Sequence, residues 1–251
     1  MNNDIKLIHG DCLIEMKNIP DKSIDMILCD LPYGTTACKW DVVIPFDRLW
    51  CQYKRIIKDG RPIVLFSSQP FTTDVINSNR KSFKYCWYWI KNQGTNFFHS
   101  KKQPIRKVEE ICVFNSKIYY PQMTDGHKPT NSAKGCSNGS VYYGKNKRDY
   151  IGGSTKRFPT NVLEYKCVNN YKRIHPSEKP IELLEFLIKT YTIEGDTVLD
   201  NCIGSGITMI ACINPNRKGI GIEKDEKYFE IAKNRVEKAL EEKNKPNLFN
   251  L

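Results

Sequence analysis

The sequence predicts an α/β protein with a mostly parallel sheet, an antiparallel hairpin at the sheet edge and an inserted basic region. Three observations support this fold class. Short apolar runs alternate with amphipathic helical patterns, as expected where helices connect parallel strands. Two aromatic and β-branched runs, "SFKYCWYWIKN" and "EEICVFNSK", are joined by a basic, polar connection and are typical of an antiparallel pair. A stretch rich in Gly, Ser, Asn, Lys and Arg then interrupts the pattern from about residue 119.

The first half of the chain predicts three strands and one helix of the parallel sheet. "IKLIHGD" is strand-like, and "SIDMILCD" is a continuous apolar run of the kind that is buried on both faces of a sheet. "DRLWCQYKRIIKDG" places Leu49, Tyr53, Ile56 and Ile57 on one helical face, and Gly60 is a natural stop. "RPIVLFSS" is the next strand.

The last part of the chain returns to regular alternation. "PIELLEFLIKTY" predicts a helix, "DTVLD" a strand, "NCIGSGITMIACI" a glycine-rich turn followed by a helix, and "IGIEKD" another strand. "KYFEIAKNRVEKALEEK" predicts an amphipathic helix whose inward positions are Phe229, Ala232, Val236 and Leu240. Ligands of such sheets bind at the carboxyl ends of the strands.

Composition excludes several classes of protein. The first residues, "MNNDIKLIHG", are too polar for a signal peptide, and no apolar run approaches the length of a membrane span, so we expect a cytoplasmic protein without membrane association. The ten cysteines include no Cys-x-x-Cys pair, and the four histidines lie far apart in the sequence, so no metal site is expected.

The net charge of +11 indicates a polyanionic partner. The charge is localised, because residues 119–175 contain ten Lys/Arg and three Asp/Glu and so supply +7 of the total. The segment has no helical or strand period and is too long for a structureless connection in a compact domain. We therefore interpret it as a functional insertion.

The stretch "VLDNCIGSGIT" predicts a cofactor site. A strand ends at Asp200, a turn with Gly204 and Gly206 follows, and glycines there allow close approach of a ligand to the backbone and to the helix N-terminus. About twenty residues further on, a strand ends at Glu223, where an acid suits ribose hydroxyls. The turn alone is equally typical of tight strand–helix packing, but the whole combination indicates a nucleoside-bearing cofactor.

The stretch "SIDMILCDLPYG" predicts a second site at the end of another strand. Asp30 and the carbonyl of Leu31 can accept the two hydrogens of an exocyclic amine, and Pro32 stiffens the turn that aims this carbonyl. Tyr33 can stack on a flat heterocycle. The pattern suits a nucleobase, and the alternative interpretation is a strand followed by an ordinary turn.

"DLPYG", "DNCIGSG" and the intervening "HPSEKP" together resemble the amino-methylating DNA methyltransferases that use S-adenosylmethionine. The catalytic motif precedes the cofactor motif, with the variable basic segment between them, which is the order of the β class. The likeness runs from "HGDC" to the last helix. It implies a Rossmann-like fold and methylation of an exocyclic amine in duplex DNA after the base has left the helix.

The resemblance also assigns residues by position. Asp30, Leu31, Pro32 and Tyr33 would hold the target amine. The cofactor would contact residues at four places in the chain: Asp11, Cys12, Ser177, Lys179, Asp200, Cys202, Gly204, Ser205, Gly206 and Glu223. Without the resemblance, Lys179 is better interpreted as a solvated lysine at a helix start. Basic residues of the insertion would bind DNA: Lys145, Lys147, Arg148, Lys156 and Arg157.

The resulting organisation is one methyltransferase domain with an insertion. Residues 1–118 form its catalytic part, 119–170 the inserted basic target-recognition region and 171–251 its cofactor-binding part. The implied partners are double-stranded DNA, a cognate restriction endonuclease and a second copy of the chain in a homodimer. The expected location is the cytoplasm, in association with the nucleoid.

Adenine N6 is the expected target, because Asp at position 30 is commoner with adenine in the resembling family and Ser with cytosine. Three alternatives stay open. These are cytosine N4 methylation, a non-catalytic DNA-binding protein that retains the fold, and RNA methylation. Carbon-5 methylation of cytosine is disfavoured, because no cysteine follows a proline as in the nucleophile motif of those enzymes.

Overall fold

An eight-stranded sheet organises the chain in a computed structural model that describes residues 5–36, 38, 40–129, 153–169, 174–175 and 177–245. Its strand order is β1-β8-β7-β2-β3-β5-β4-β6. All neighbouring strands pair in parallel except β5, which is antiparallel to both β3 and β4. The predicted fold class is therefore confirmed. The strands are β1 (Ile5–His9), β2 (Met26–Asp30), β3 (Ile63–Ser67), β4 (Phe83–Thr95), β5 (Arg106–Phe114), β6 (Val162–Tyr165), β7 (Thr197–Asp200) and β8 (Lys218–Glu223).

Helices cover both faces of the sheet. They are α1 (Cys12–Glu15), α2 (Phe46–Ile56), α3 (Phe71–Ser78), α4 (Ile181–Tyr191), α5 (Ile207–Ile213) and α6 (Glu226–Asn244). Along β2, Met26 and Leu28 pack in the core with α4, α5 and α6, whereas Ile27 and Cys29 pack in the core with α1, α2 and α3. Successive side chains of a strand point to opposite faces, so an apolar run such as β2 contributes to two cores at once.

The helix faces predicted from periodicity are largely confirmed. The predicted inward positions of α2 and of the turn that follows it are buried: Leu49, Tyr53, Ile56 and Ile57. In α6, Ala232 and Val236 are buried, and Leu240 packs partly buried against the same core. Phe229 instead stacks on His9 with ring centroids 5.1 Å apart. No helix in the described part of the chain is both long and apolar enough to cross a membrane.

The hairpin of β4 and β5 lies one strand inside the sheet edge. β6 pairs in parallel with β4, with Trp89 opposite Leu163, and forms the outermost strand. It falls within residues 119–170, where the sequence predicts the insertion. Its four residues are too few to give a clear alternation, and their hydrogen-bond partners come from far earlier in the chain.

Contacts divide the chain into two compact units. One comprises Met1–Tyr120 and Asn161–Leu251, and the other comprises Pro121–Thr160. The second unit is thus shorter than the predicted insertion at both ends. Within it, the backbones of Thr124 and Arg157 exchange hydrogen bonds of 3.1 and 2.9 Å, and the Thr155 hydroxyl donates to Asp125 at 2.7 Å.

A buried carboxylate ties the start of β2 to its surroundings. Asp25 is 2% exposed, and its oxygens accept from Lys58 Nζ at 2.7 and 2.8 Å and from the Thr197 backbone N–H at 3.0 Å. Arg61 Nη2 lies 3.2 Å from the same carboxylate. Removing one partner of such a group leaves the other charges uncompensated.

We expect Asp25→Asn to lower the free energy of unfolding by about 2 kcal/mol, after allowance for the partly exposed Lys58. Urea unfolding monitored by circular dichroism measures this change. Asp59→Asn is the matched control, because Asp59 pairs with Lys22 at the surface and both side chains are exposed. Equal effects of the two substitutions would contradict a special role for the buried carboxylate.

Candidate active site

A cavity of about 1040 Å³ lies at the carboxyl ends of β2, β7 and β8. Residues 30–33, at the end of β2, line it together with residues 200–205, at the end of β7. Parallel pairing of β2 with β7 brings together two motifs that are about 170 residues apart in the sequence. The two predicted sites therefore share one cavity.

Asp30 is held on both of its oxygens. The Tyr33 hydroxyl donates to Oδ1 at 2.8 Å, and Lys179 Nζ donates to Oδ2 at 2.6 Å. The ring of Tyr33 stacks on Phe71, with centroids 4.9 Å apart and planes at 26°. Burial, followed by the neighbouring Asp30 charge, raises the pKa of Tyr33, so its hydroxyl stays protonated as a donor.

Lys179 belongs to a buried chain of alternating charges. It is 6% exposed, and its Nζ lies 3.5 Å from Glu109 Oε2, while Lys91 Nζ donates to Glu109 Oε1 at 2.9 Å. Burial opposes the charge on Lys179, but Asp30 and Glu109 outweigh it and raise the pKa of the ammonium. Burial likewise opposes ionisation of Glu109, but Lys179 and Lys91 outweigh it and lower the pKa of that carboxyl.

Burial of Lys179 rules out its interpretation as a solvated lysine, whereas its contact with the cofactor stays a prediction. Its partner is the carboxylate of the catalytic motif. Sequence reasoning missed Lys91 and Glu109 altogether. The sequence carries little signal for them, because Glu109 is one of four charged residues in β5 and Lys91 is one of two lysines in β4.

The glycine-rich turn carries a second buried carboxylate. Asp200 is 2% exposed and accepts the backbone N–H of Cys202 at 3.0 Å. Burial raises the pKa of Asp200 to about 6. Ser205 is also 2% exposed, and its buried Oγ finds no hydrogen-bond partner in the described part of the chain.

Glu223 closes the turn from the neighbouring strand. Its Oε2 accepts the backbone N–H of Gly204 at 2.8 Å, and its Oε1 accepts those of Lys224 and Asp225, each at 2.9 Å. Burial raises the pKa of Glu223 despite these bonds. The carboxylate thus fixes the backbone of the turn while lining the cavity.

The two glycines of the turn have different surroundings, and both adopt left-handed φ angles, +50° at Gly204 and +80° at Gly206. A Cβ on Gly204 would lie 3.3 Å from the His175 ring, which lines the cavity. A Cβ on Gly206 would lie 2.9 Å from the Cβ of Ala232 in α6. Gly206 therefore packs against a helix, and the structure does not place it among the residues that line the cavity.

Three further predicted residues line the same cavity. Asp11 caps α1 by accepting the Leu13 N–H at 3.0 Å and pairs with Lys224 Nζ at 3.0 Å. Cys12 is buried beside it. The Ser177 hydroxyl lies 3.0 Å from Nδ1 of His175, a residue that sequence reasoning did not single out.

The loop after Tyr33 is organised by one carboxylate. Asp41 accepts the backbone N–H groups of Gly34, Thr35 and Thr36 at 2.8, 2.9 and 2.7 Å. Burial opposes ionisation, but these bonds and one from the Thr36 side chain outweigh it and lower the pKa of Asp41. Residues 34–36 are thereby fixed beside Tyr33, and Thr35, Thr36 and Asp41 line the cavity.

The predicted DNA-binding residues are only partly covered by the structure. Lys145, Lys147 and Arg148 lie outside the described residues. Lys156 is exposed in the second unit. Arg157 donates to the carbonyl oxygens of Ser154 at 2.9 Å and of Lys156 at 3.0 Å, and also to that of Lys128, so much of its guanidinium serves the unit itself.

Comparisons with known proteins agree with the geometry. The sequence profile of a family described as DNA methylase matches residues 24–234. The type II methyltransferase M2.LlaDCHI of Lactococcus lactis subsp. cremoris is 42% identical over 251 residues, which cover 92% of this chain and 89% of the relative. Two solved structures share the fold. The M1.HpyAVI–SAM complex has a TM-score of 0.60 and 23% identity, and the match covers 92% of this chain and 99% of that one. The cytosine-N4-specific PvuII DNA methyltransferase has a TM-score of 0.62 and 16% identity, and the match covers 95% of this chain and 93% of that one.

The position of Gly206 predicts a stability effect. Gly206→Ala should lower the free energy of unfolding by about 2–3 kcal/mol, through the left-handed backbone and the overlap with Ala232. Adding Ala232→Gly should recover part of the loss, because it removes the overlapping Cβ. Denaturant unfolding of the two single variants and the double variant measures this coupling. Strictly additive effects would mean that the two residues do not meet.

Proposed function

Since the chain belongs to the DNA methylase family, we propose that it transfers a methyl group from S-adenosylmethionine to N6 of adenine in duplex DNA. The observation that carries the proposal is the shared cavity, in which the Asp30 carboxylate and the glycine-rich turn after β7 face the same space. One wall suits a nucleobase amine and the other a nucleoside cofactor.

The residues of the glycine-rich turn fit a cationic cofactor. S-Adenosylmethionine supplies an electrophilic methyl group on a positively charged sulfonium. Burial disfavours the ionised form of Asp200, so a positive charge nearby would offset that cost. The buried Ser205 hydroxyl has unused hydrogen-bonding capacity in the described structure. Both features are expected of a site that is completed by a polar ligand.

We assign the cofactor contacts accordingly. Asp200, Cys202, Gly204 and Ser205 would line the methionine part, Glu223 the ribose, and Asp11 and Cys12 the adenine, with Ser177 nearby. The predicted cofactor contacts of Gly206 and Lys179 stay predictions, and the geometry supports a further role for each. Gly206 supports the turn by packing on α6, and Lys179 serves the target side by holding Asp30.

The target amine would bind to Asp30. Each carboxylate oxygen can accept two hydrogen bonds. Tyr33 donates one to Oδ1 and Lys179 donates one to Oδ2, so each oxygen can accept one more. The remaining sites and the Leu31 carbonyl would accept the amine hydrogens. The amine nitrogen would form a bond to the methyl carbon as the carbon–sulfur bond of the sulfonium breaks. The fixed Asp30 carboxylate would stabilise the positive charge that develops on the nitrogen until the amine releases a proton. The ring of Tyr33, backed by Phe71, would hold the base plane.

Adenine is proposed over cytosine because Asp occupies position 30, as is commoner among adenine enzymes of the resembling family. Cytosine N4 methylation is the second candidate, because a carboxylate can accept from either amine. A non-catalytic DNA-binding role is disfavoured by the intact Asp30 and Tyr33 with their fixed geometry. RNA methylation is the weakest alternative.

The remaining partners stay predictions. The localised positive charge of residues 119–175 supports duplex DNA as the substrate and this segment as the target-recognition region. A restriction endonuclease partner, a homodimer and a cytoplasmic, nucleoid-associated location follow from the resemblance and the composition.

We expect Asp30→Ala to reduce turnover by at least a factor of about 100–1,000, the usual cost of losing a preorganised group that stabilises transition-state charge. Cofactor affinity should change much less than turnover, because Asp30 lies on the side of the cavity assigned to the target base. Mass spectrometry of nucleosides from treated DNA measures turnover and identifies the product. Asp47→Ala, at an exposed position of α2, is the control. N4-Methylcytosine as the sole product would overturn the adenine assignment, and no methylated nucleoside from the wild type would overturn methylation of DNA.

Cofactor affinity should depend on pH through Asp200. Below its pKa of about 6 the carboxyl is protonated and must lose a proton before it can offset a cation. The affinity for S-adenosylmethionine should therefore rise by about tenfold between pH 5 and pH 7 and level off above. Calorimetry at several pH values tests this expectation. Asp200→Asn should bind S-adenosylmethionine more weakly, and its affinity should vary less with pH. If the pH dependence of the affinity is unchanged in this variant, the titrating group is another one, such as Glu223.

A further inference from the structure

The connection between β4 and β5 exposes two adjacent phenylalanines. We call residues 96–105 the hairpin tip. Phe97 is 73% exposed, and Phe98 is fully exposed. Single exposed apolar side chains are common, but two adjacent exposed aromatic rings form an apolar surface that is open to a partner.

The hairpin tip holds these rings in a defined turn. Phe97–His99 form one turn of 3-10 helix, in which the His99 N–H donates to the Asn96 carbonyl at 3.1 Å and the Ser100 N–H to the Phe97 carbonyl at 2.9 Å. Asn96 adopts a left-handed φ of +70°, which asparagine tolerates better than most residues. Backbone hydrogen bonds therefore stabilise the turn that carries the two exposed rings.

The segment that carries the two rings is positively charged. Residues 96–107 contain four Lys/Arg and no Asp or Glu: Lys101, Lys102, Arg106 and Lys107. All four are exposed. Arg106 also donates to the Gln69 carbonyl at 3.1 Å and so helps to anchor the base of the tip. A surface that combines cations with flat apolar rings is complementary to nucleic acid, which combines phosphates with stacked bases.

The hairpin tip lies at the candidate active site. Thr95, Asn96, His99 and Gln103 line the same cavity as Asp30. A substrate that sends one base into this cavity would therefore have its backbone and neighbouring bases next to the tip. None of the residues assigned above to DNA binding lies in this hairpin.

We propose that the hairpin tip binds duplex DNA beside the target base, with Lys101, Lys102 and Lys107 on phosphates and the ring of Phe98 in the gap left in the base stack. This inference rests on the proposed function, because the gap arises when the target base leaves the helix. Unstacking a base costs a few kcal/mol, and an inserted apolar ring recovers part of that stacking. The tip would thus stabilise the extruded state in which the amine reaches Asp30.

The phosphate contacts are tested by salt dependence. The probe is a fluorescein-labelled duplex containing the sequence that the wild-type protein methylates, and fluorescence anisotropy measures its affinity at several salt concentrations. Lys101→Gln with Lys102→Gln should reduce the slope of log Kd against log salt by about 2, which is two phosphate contacts. Lys81→Gln with Lys84→Gln, an equal charge change at the opposite end of the same hairpin, should leave the slope unchanged.

The role of Phe98 is tested by base extrusion. A fluorescent base analogue (2-aminopurine for adenine or pyrrolocytosine for cytosine) replaces the target base, and its emission rises when it leaves the stack. Phe98→Ala should cut this rise by at least about fivefold, given about 1 kcal/mol or more per lost stacking contact. Phe98→Leu should retain more of it. Neither variant should change the salt slope, the unfolding temperature or the affinity for S-adenosylmethionine, because the side chain is exposed.

The outcomes separate this inference from the proposed function. If the wild type methylates DNA but the tip variants bind the duplex and extrude the target base as well as the wild type, the inference is wrong and the proposed function stands. If Phe98→Ala instead converts a dimer to a monomer in sedimentation while DNA binding is unchanged, the tip is a self-association surface and the inference is again wrong. If the wild type yields no methylated nucleoside, the proposed function fails, and the role of the tip as proposed fails with it.

Discussion

The ion pair between Lys179 and Asp30 is the contact on which the candidate site depends. It joins the end of β2 to the start of α4 across 149 positions of sequence at a distance of 2.6 Å. Because Lys179 is buried and Asp30 is only partly exposed, the attraction between them is screened less than that of a surface pair. Glu109 and Lys91 extend the pair into the hairpin of β4 and β5, so this hairpin and the segment before α4 together fix the orientation of one carboxylate. Preorganisation of this kind is what a reaction without a covalent intermediate requires.

The side of the cavity formed by the glycine-rich turn differs in its electrostatics from the side that contains Asp30. Around Asp30 the negative charge is compensated by a lysine, whereas burial works against the charge of Asp200. The two carboxylates thus differ, because the charge of Asp30 is compensated by a lysine of the protein, whereas Asp200 favours a ligand that brings positive charge. The difference supports placing the base on one side and the cofactor on the other.

Sequence patterns predicted the fold and the two motifs because both are local. The alternation of apolar runs located β2, α2, α4 and α6, and the residue types at strand ends located Asp30 and Asp200. The patterns failed where structure depends on distant partners. β6 owes its existence to β4, and α3 begins at Phe71 after a turn without a clear helical signal. Likewise, the partner of Lys179 and the packing of Gly206 on α6 are set by three-dimensional proximity, which spacing does not encode.

One consequence of the double burial of β2 concerns its alignment within the sheet. In a strand with one polar face, sliding by one residue would expose the apolar set, and that penalty fixes the register. Residues 26–29 are apolar on both faces, so their hydrophobicity alone barely distinguishes one alignment from the next. The charged residues at either end of this apolar run do fix the alignment. Asp25 must accept hydrogen bonds from Lys58 and Thr197, and Asp30 must accept one from Lys179. Asp30, the proposed acceptor of the target amine, is therefore also one of the two charged residues that fix the register of β2.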